Sequence, residues 1–135
     1  MSKSFILKTF TTQMVEFCDD LIKVFPRDID LKTGRRMLLN VKKINPKLII
    51  ISWRDISLPY KNQIDDVDID FFLNKDYTED LKKQGKDPND NENIAFLNSI
   101  KEKVIQMNDS NKKKSFKYIQ NLTKLTNMYF TETTN

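Results

Sequence analysis

A cluster of acidic side chains near the middle of the chain is its most conspicuous candidate for chemistry. Four of the six residues at positions 65–70 are aspartates: Asp65, Asp66, Asp68 and Asp70. Carboxylates at this spacing suit a metal ion, acid–base catalysis or the start of a helix. A calcium loop needs glycine at its sixth position and glutamate at its twelfth, but counting from the second aspartate places Phe71 and Tyr77 there. We therefore expect no metal ion, no cofactor and no catalytic residue in this stretch.

A capped short helix is the simplest interpretation of these aspartates. The first two would cap free N–H groups at the positive end of the helix dipole. The apolar residues that follow share one helical face, and with the aspartates around them they have the anatomy of a contact patch. The predicted partner-binding residues are Ile69, Phe72, Leu73 and Tyr77. The alternative is that these side chains face the protein's own core.

Basic residues form two groups that are suited to phosphate binding. The first group is Arg35, Arg36, Lys42, Lys43 and Lys47, and the second is Lys112, Lys113, Lys114 and Lys117. Phe116 and Tyr118, beside the second group, could stack on bases. No helix-turn-helix or zinc-finger signature accompanies either group. A solvated helix face is the alternative interpretation.

Histidine is absent and cysteine occurs once, as Cys18. This composition excludes Ser-His-Asp triads, Cys-His nucleophile pairs and thiolate–imidazole zinc sites. We expect a protein that is not an enzyme, with Cys18 as a small buried hydrophobe in a reducing compartment. The longest apolar run, "LIIIS" from Leu48, is far shorter than the roughly 20 residues that cross a bilayer, and no signal peptide is expected.

The elements that would position these residues are helices. The chain has 135 residues, of which 39% are hydrophobic, and only 2 glycines. Apolar residues at steps of three and four predict helices after Ser4, after Asp28 or Asp30, after Asp87 or Asp90, and after "NDSN" at 108–111. Asn45-Pro46 predicts a short helix, although its isoleucines also suit a strand, and two further short helices are predicted within 60–84. We expect one all-α domain over residues 1–130, a bundle of about five to seven helices, and a frayed tail over 131–135.

The helical periodicity also predicts the core. The apolar face of the first helix continues to Val24 and that of the second helix to Ile44. Trp53 is expected in the hydrophobic core. The residues predicted to be buried are Phe10, Phe17, Leu21, Leu38, Val41, Leu97, Val104, Ile119 and Leu122.

Charge is distributed unevenly along the chain. The net charge is +6 over residues 1–54, −6 over 55–100 and +4 over 101–135. Segments of opposite charge attract one another within a fold, or they steer partners.

Four stretches carry a resemblance to known proteins: "VFPRD" at 24–28, "INPKLII" at 44–50, "LPYKNQI" at 58–64 and "DIDFFLNKDYTEDL" at 68–81. In these stretches the chain resembles a family of short helical proteins encoded by nucleocytoplasmic large DNA viruses of algae and protists. The resemblance implies a virus-encoded protein located in the virion or the infected-cell cytoplasm, and it carries over no functional residue. We expect a non-enzymatic protein that contacts other viral proteins as a minor virion, capsid or assembly component. The alternative is a DNA-binding or packaging protein that uses the basic helix faces.

Overall fold

Five helices make up most of the chain that the structure, a computed structural model, describes. It describes residues 2–57, 62 and 92–131, and for Ile56 and residues 92–98 the backbone alone. The helices are α1 (Lys3–Val24), α2 (Ile29–Ile44), α3 (Lys47–Ser57), α4 (Glu92–Ile105) and α5 (Asp109–Thr131). No strand occurs in these ranges, so the all-α prediction is confirmed. The predicted short helices within 60–84, the predicted start of α4 and residues 132–135 of the predicted tail lie outside the described residues.

A capping side chain precedes each of four helices. Each accepts a hydrogen bond of 2.9 to 3.2 Å from a backbone N–H two or three residues later, and the caps are Ser2, Asp28, Asn45 and Asn108. Of the two aspartates considered for the second helix, Asp28 is therefore the cap, and the short apolar segment after Asn45 is a helix rather than a strand. The "NDSN" stretch, expected to separate two helices, instead supplies the cap and first turn of α5.

Helix α1 packs against α2, α3 and α5, and α3 contacts all four other described helices. The buried apolar residues form one cluster, and seven of the predicted core residues belong to it: Phe10, Phe17, Leu21, Leu38, Val104, Ile119 and Leu122. Val41 is half-buried rather than buried, and it packs against this cluster. The side chain of Leu97 lies outside the described part of the chain.

Two residues that the sequence placed on the apolar faces of the first and second helices are exposed, which corrects that prediction. Val24 is 38% exposed and Ile44 is 84% exposed. Each lies in the last turn of its helix. The neighbouring helices cover the earlier turns but not this one, although the apolar periodicity continues through it. Gly34 lies on the buried face of α2 with Leu31 and Leu38, where it presents no side chain to the neighbouring helix.

Trp53 and Cys18 are buried, as predicted. Trp53 is 3% exposed, and its indole N–H donates to the hydroxyl oxygen of Thr123 at 3.2 Å. That hydroxyl donates in turn to the carbonyl of Ile119 at 2.8 Å, which satisfies both polar groups inside the core. Burial, with a smaller effect of nearby Asp19, raises the pKa of the Cys18 thiol to about 12, so the thiol stays protonated.

Contacts of aromatic rings show how α5 runs relative to α1. At one end of α1, the Lys3 ammonium lies 5.2 Å from the centre of the Tyr129 ring. Toward the other end, the rings of Phe17 and Tyr118 stack with their centres 5.0 Å apart. Helix α5 is therefore antiparallel to α1. One end of the bundle consequently gathers the start of α1, the end of α5 and the α2–α3 corner.

Candidate functional site

Two adjoining cavities lie at this end of the bundle. Their volumes are about 320 and 220 Å³, and both are lined by Ser4 and Leu7. The larger cavity is completed by Lys3, Lys47 and Tyr129, and the smaller one by Lys8, Thr11, Lys42 and Pro46. We call these nine residues the lysine groove.

Three helices contribute the lysines of the groove. Lys3 and Lys8 lie in the first two turns of α1, Lys42 in the last turn of α2 and Lys47 at the first residue of α3. The corner between α2 and α3 is tight, because Asn45 both ends one helix and caps the next. Its N–H donates to the carbonyl of Val41 at 2.8 Å, and its side chain accepts from the N–H of Lys47 at 3.2 Å. This corner brings lysines from two helices to the same groove.

The groove is positively charged. None of the described residues that line the two cavities is acidic, and no carboxylate in the described part of the chain pairs with Lys3, Lys8, Lys42 or Lys47. The helices α1 and α3 both begin here, and neither carries an acidic residue in its first turn, so their dipoles add to the positive potential. The Lys3 ammonium lies against the face of Tyr129, which favours a fixed position for that charge.

Apolar groups lie between the lysines. Leu7 packs against the hydrophobic core from the groove side, and Pro46 and the Tyr129 ring complete the apolar lining. The Thr11 hydroxyl already donates to the carbonyl of Leu7 at 2.8 Å, so its donor is satisfied within α1. The groove therefore combines an apolar floor with positive charge, which suits contact with a partner more than catalysis.

The structure divides the first predicted phosphate-binding group. Lys42 lines the lysine groove, and Lys43 and Arg36 are exposed on α2. Arg35, in contrast, forms an ion pair with Asp19 of α1, so its charge is locally compensated. Of this group, Lys42 and Lys47 line the groove.

The second predicted group lies at the opposite end of α1. Lys113 and Lys117 are exposed, and Lys112 is half-buried. The ammonium of Lys114 lies 3.7 Å from the carboxylate of Asp20. Asp20 follows Lys8 of the groove by twelve residues, which corresponds to about 18 Å along α1. Lys42 and Lys47 therefore lie at one end of α1 and Lys114 at the other, with the carboxylates of Asp19 and Asp20 beside Arg35 and Lys114.

A third cavity, of about 220 Å³, lies at this opposite end, and both acidic and basic side chains line it. The Tyr118 hydroxyl donates to Asp20 at 2.7 Å, and the ammonium groups of Lys114 and Lys23 lie 3.7 and 3.9 Å from the same carboxylate. Burial, and then the bond to Asp20, raises the pKa of Tyr118 to about 12. These contacts join α1 to α5, and the phenol stays protonated at neutral pH.

The aspartate cluster at 65–70 and the predicted partner-binding residues Ile69, Phe72, Leu73 and Tyr77 lie outside the described residues. Within the described ranges, no group of three acidic or cysteine side chains could hold a metal ion. None of the described helices combines the length and apolarity needed to cross a membrane.

Comparison with known proteins gives no relative. No protein-family model matches the chain, and no curated protein or solved structure matches it.

Proposed function

We propose that this protein is a non-enzymatic binding protein that acts by contact with other proteins, as a minor virion or assembly component of a large DNA virus. The viral setting rests on the four stretches of resemblance between residues 24 and 81. The mode of action rests on the lysine groove.

The groove supports protein contact because of its composition. Interfaces between proteins commonly have an apolar centre and a polar or charged margin. Leu7, Pro46 and Tyr129 supply the apolar part here, and lysines from three helices surround it. Long lysine side chains can lie along apolar surface while their ammonium groups stay in water, so the same residues can contribute both packing and charge.

Nucleic-acid binding is the alternative, through the α5 lysines. A phosphate backbone needs several cations along one continuous track. Lys42 and Lys47 lie at the opposite end of α1 from Lys114, and Arg35 and Lys114 already have carboxylate neighbours. These observations favour the protein partner.

Two variants of equal charge separate the proposals. The groove variant replaces Lys3, Lys8, Lys42 and Lys47 with Gln, and the α5 variant replaces Lys112, Lys113, Lys114 and Lys117 with Gln. Each variant is introduced into the virus that encodes the protein, and the protein is quantified by mass spectrometry in purified particles and in infected cells. We expect the unmodified protein and the α5 variant in particles, and the groove variant to be depleted from them while remaining in the cells.

Absence of the unmodified protein from particles would contradict the proposed role in the virion. Loss of the α5 variant alone, together with release of the unmodified protein from opened particles by nuclease, would support the nucleic-acid alternative. Thermal unfolding followed by circular dichroism would verify that both variants fold.

A further inference from the structure

From the charge and shape of the lysine groove, we propose that its occupant is an acidic, amphipathic segment of a partner protein. Carboxylates of that segment face the lysine ammonium groups, and one of its aliphatic side chains lies between Leu7 and Pro46. This inference rests on the proposed function and specifies the partner's chemistry.

Charge complementarity selects an acidic partner. Four lysines line the two cavities, and no acidic side chain is found among the described residues of the lining. At the opposite end of α1, by contrast, Asp19 and Asp20 already lie beside Arg35, Lys23 and Lys114. The groove thus combines cavities with lysines that have no carboxylate neighbour in the described part of the chain, and a partner segment with several carboxylates would compensate their charge.

The apolar lining distinguishes a peptide from a simple polyanion. The smaller cavity is bounded by Leu7 and Pro46 and by the methyl-bearing side chain of Thr11, whose hydroxyl is bonded to its own helix. An aliphatic side chain placed there would lose contact with water, whereas a phosphate would gain no hydrogen-bond donor from these three residues. The groove therefore favours a segment that carries both acidic and aliphatic side chains.

The probe is a fluorescein-labelled peptide of sequence Glu-Glu-Leu-Glu-Glu-Leu-Glu-Glu, and its control has serine in place of leucine. Binding to the full chain is followed by fluorescence anisotropy. We expect saturable binding of the leucine peptide, about tenfold weaker binding by the groove variant, and little change in the α5 variant, because only the groove lysines would contact the carboxylates. The serine peptide should bind more weakly than the leucine peptide to the unmodified chain.

Carbodiimide coupling then locates the contact, since it joins a lysine amine to a nearby carboxylate as an amide with loss of water. We expect amide bonds between the peptide's glutamates and Lys3, Lys8, Lys42 or Lys47. Coupling of these lysines to Asp65, Asp66, Asp68 or Asp70 of the same chain, with the peptide excluded, would overturn the inference in favour of an internal occupant. Coupling between two copies of the chain would overturn it in favour of self-association.

Two further outcomes would overturn the inference. One is equal binding of the leucine and serine peptides, and the other is preferential binding of a labelled DNA duplex that the groove variant loses. Failure of the inference is distinguishable from failure of the proposed function. If the peptide does not bind but the protein still enters particles in a groove-dependent manner, the partner's chemistry is wrong and the contact stands.

Discussion

At the scale of single residues, Asp28 performs two tasks with its two carboxylate oxygens. One oxygen accepts from the N–H of Leu31 at 3.0 Å and caps α2, and the other forms an ion pair with Lys103 of α4. The hydrogen bond from Lys103, and then that from Leu31, lower the pKa of the Asp28 carboxyl below its ordinary value of 3.8. This residue therefore connects helices that are distant in the sequence.

The lowered pKa of Asp28 predicts a pH dependence of stability. The ionised carboxylate stabilises the folded state fully above its unfolded pKa, near 3.8, and this contribution is lost as the pH falls through the lower pKa of the folded state. Asp28→Asn keeps a capping oxygen and removes the charge. We expect urea unfolding to show Asp28→Asn less stable than the unmodified protein at pH 7, with the difference shrinking below about pH 4.

Asp28→Ala separates the cap from the charge. It removes both, so it should be less stable than Asp28→Asn by a further amount of about 1 kcal/mol. A stability difference between the unmodified protein and Asp28→Asn that stays constant from pH 7 to pH 3 would show that the ion pair with Lys103 has no part in folding.

At the scale of helices, the contact between α1 and α5 depends on Phe17. Its side chain is fully buried and stacks on Tyr118 with 13° between the ring planes. Phe17→Ala should reduce the free energy of unfolding by about 3 to 5 kcal/mol, because it removes buried apolar surface and leaves a cavity. Phe5→Ala is the matched control on the same helix, since Phe5 is 56% exposed, and it should change stability by less than about 1 kcal/mol. Equal effects of the two substitutions in urea unfolding would refute this packing.

On helix α2, the substitution Gly34→Ala should have two opposing effects on stability. In an exposed helix, Gly→Ala stabilises by up to about 1 kcal/mol. Gly34 is buried with Leu31 and Leu38, so an added methyl group would overpack this face at a cost of about 1 to 3 kcal/mol. We expect Gly34→Ala to lower the midpoint of thermal unfolding, and the exposed control Asn40→Ala to leave it unchanged or raise it. A rise with Gly34→Ala would mean that this face has room for a side chain.

At the scale of the whole molecule, the helices were predictable and the groove was not. Periodic apolar residues and caps such as Asp28 and Asn45 are local signals, so they predict helices from sequence alone. The same periodicity could not show that Ile44 is exposed, because it carries no information on which turns a neighbouring helix covers. Burial at helix ends is decided by tertiary packing.

The candidate site required the three-dimensional structure for the same reason. Lys3 and Lys8 lie about forty residues before Lys47 in the sequence, and Tyr129 lies far beyond it. Clustering along the sequence selects Lys42 and Lys47, together with Lys112 to Lys114, but Lys3, Lys8 and Tyr129 belong to no run of basic residues. The antiparallel packing of α5 on α1 and the corner at Asn45 bring these residues together.

We propose that the lysine groove, and not the row of α5 lysines, is the surface that contacts a partner. A titration of the ¹⁵N-labelled protein with the unlabelled leucine peptide, followed by backbone amide chemical shifts, tests it residue by residue. We predict saturable shifts for the amides of Lys3, Ser4, Leu7, Lys8 and Lys47, and none for those of Lys113 to Lys117. Shifts confined to Lys113 to Lys117, or no saturable shift in the groove, would contradict the claim.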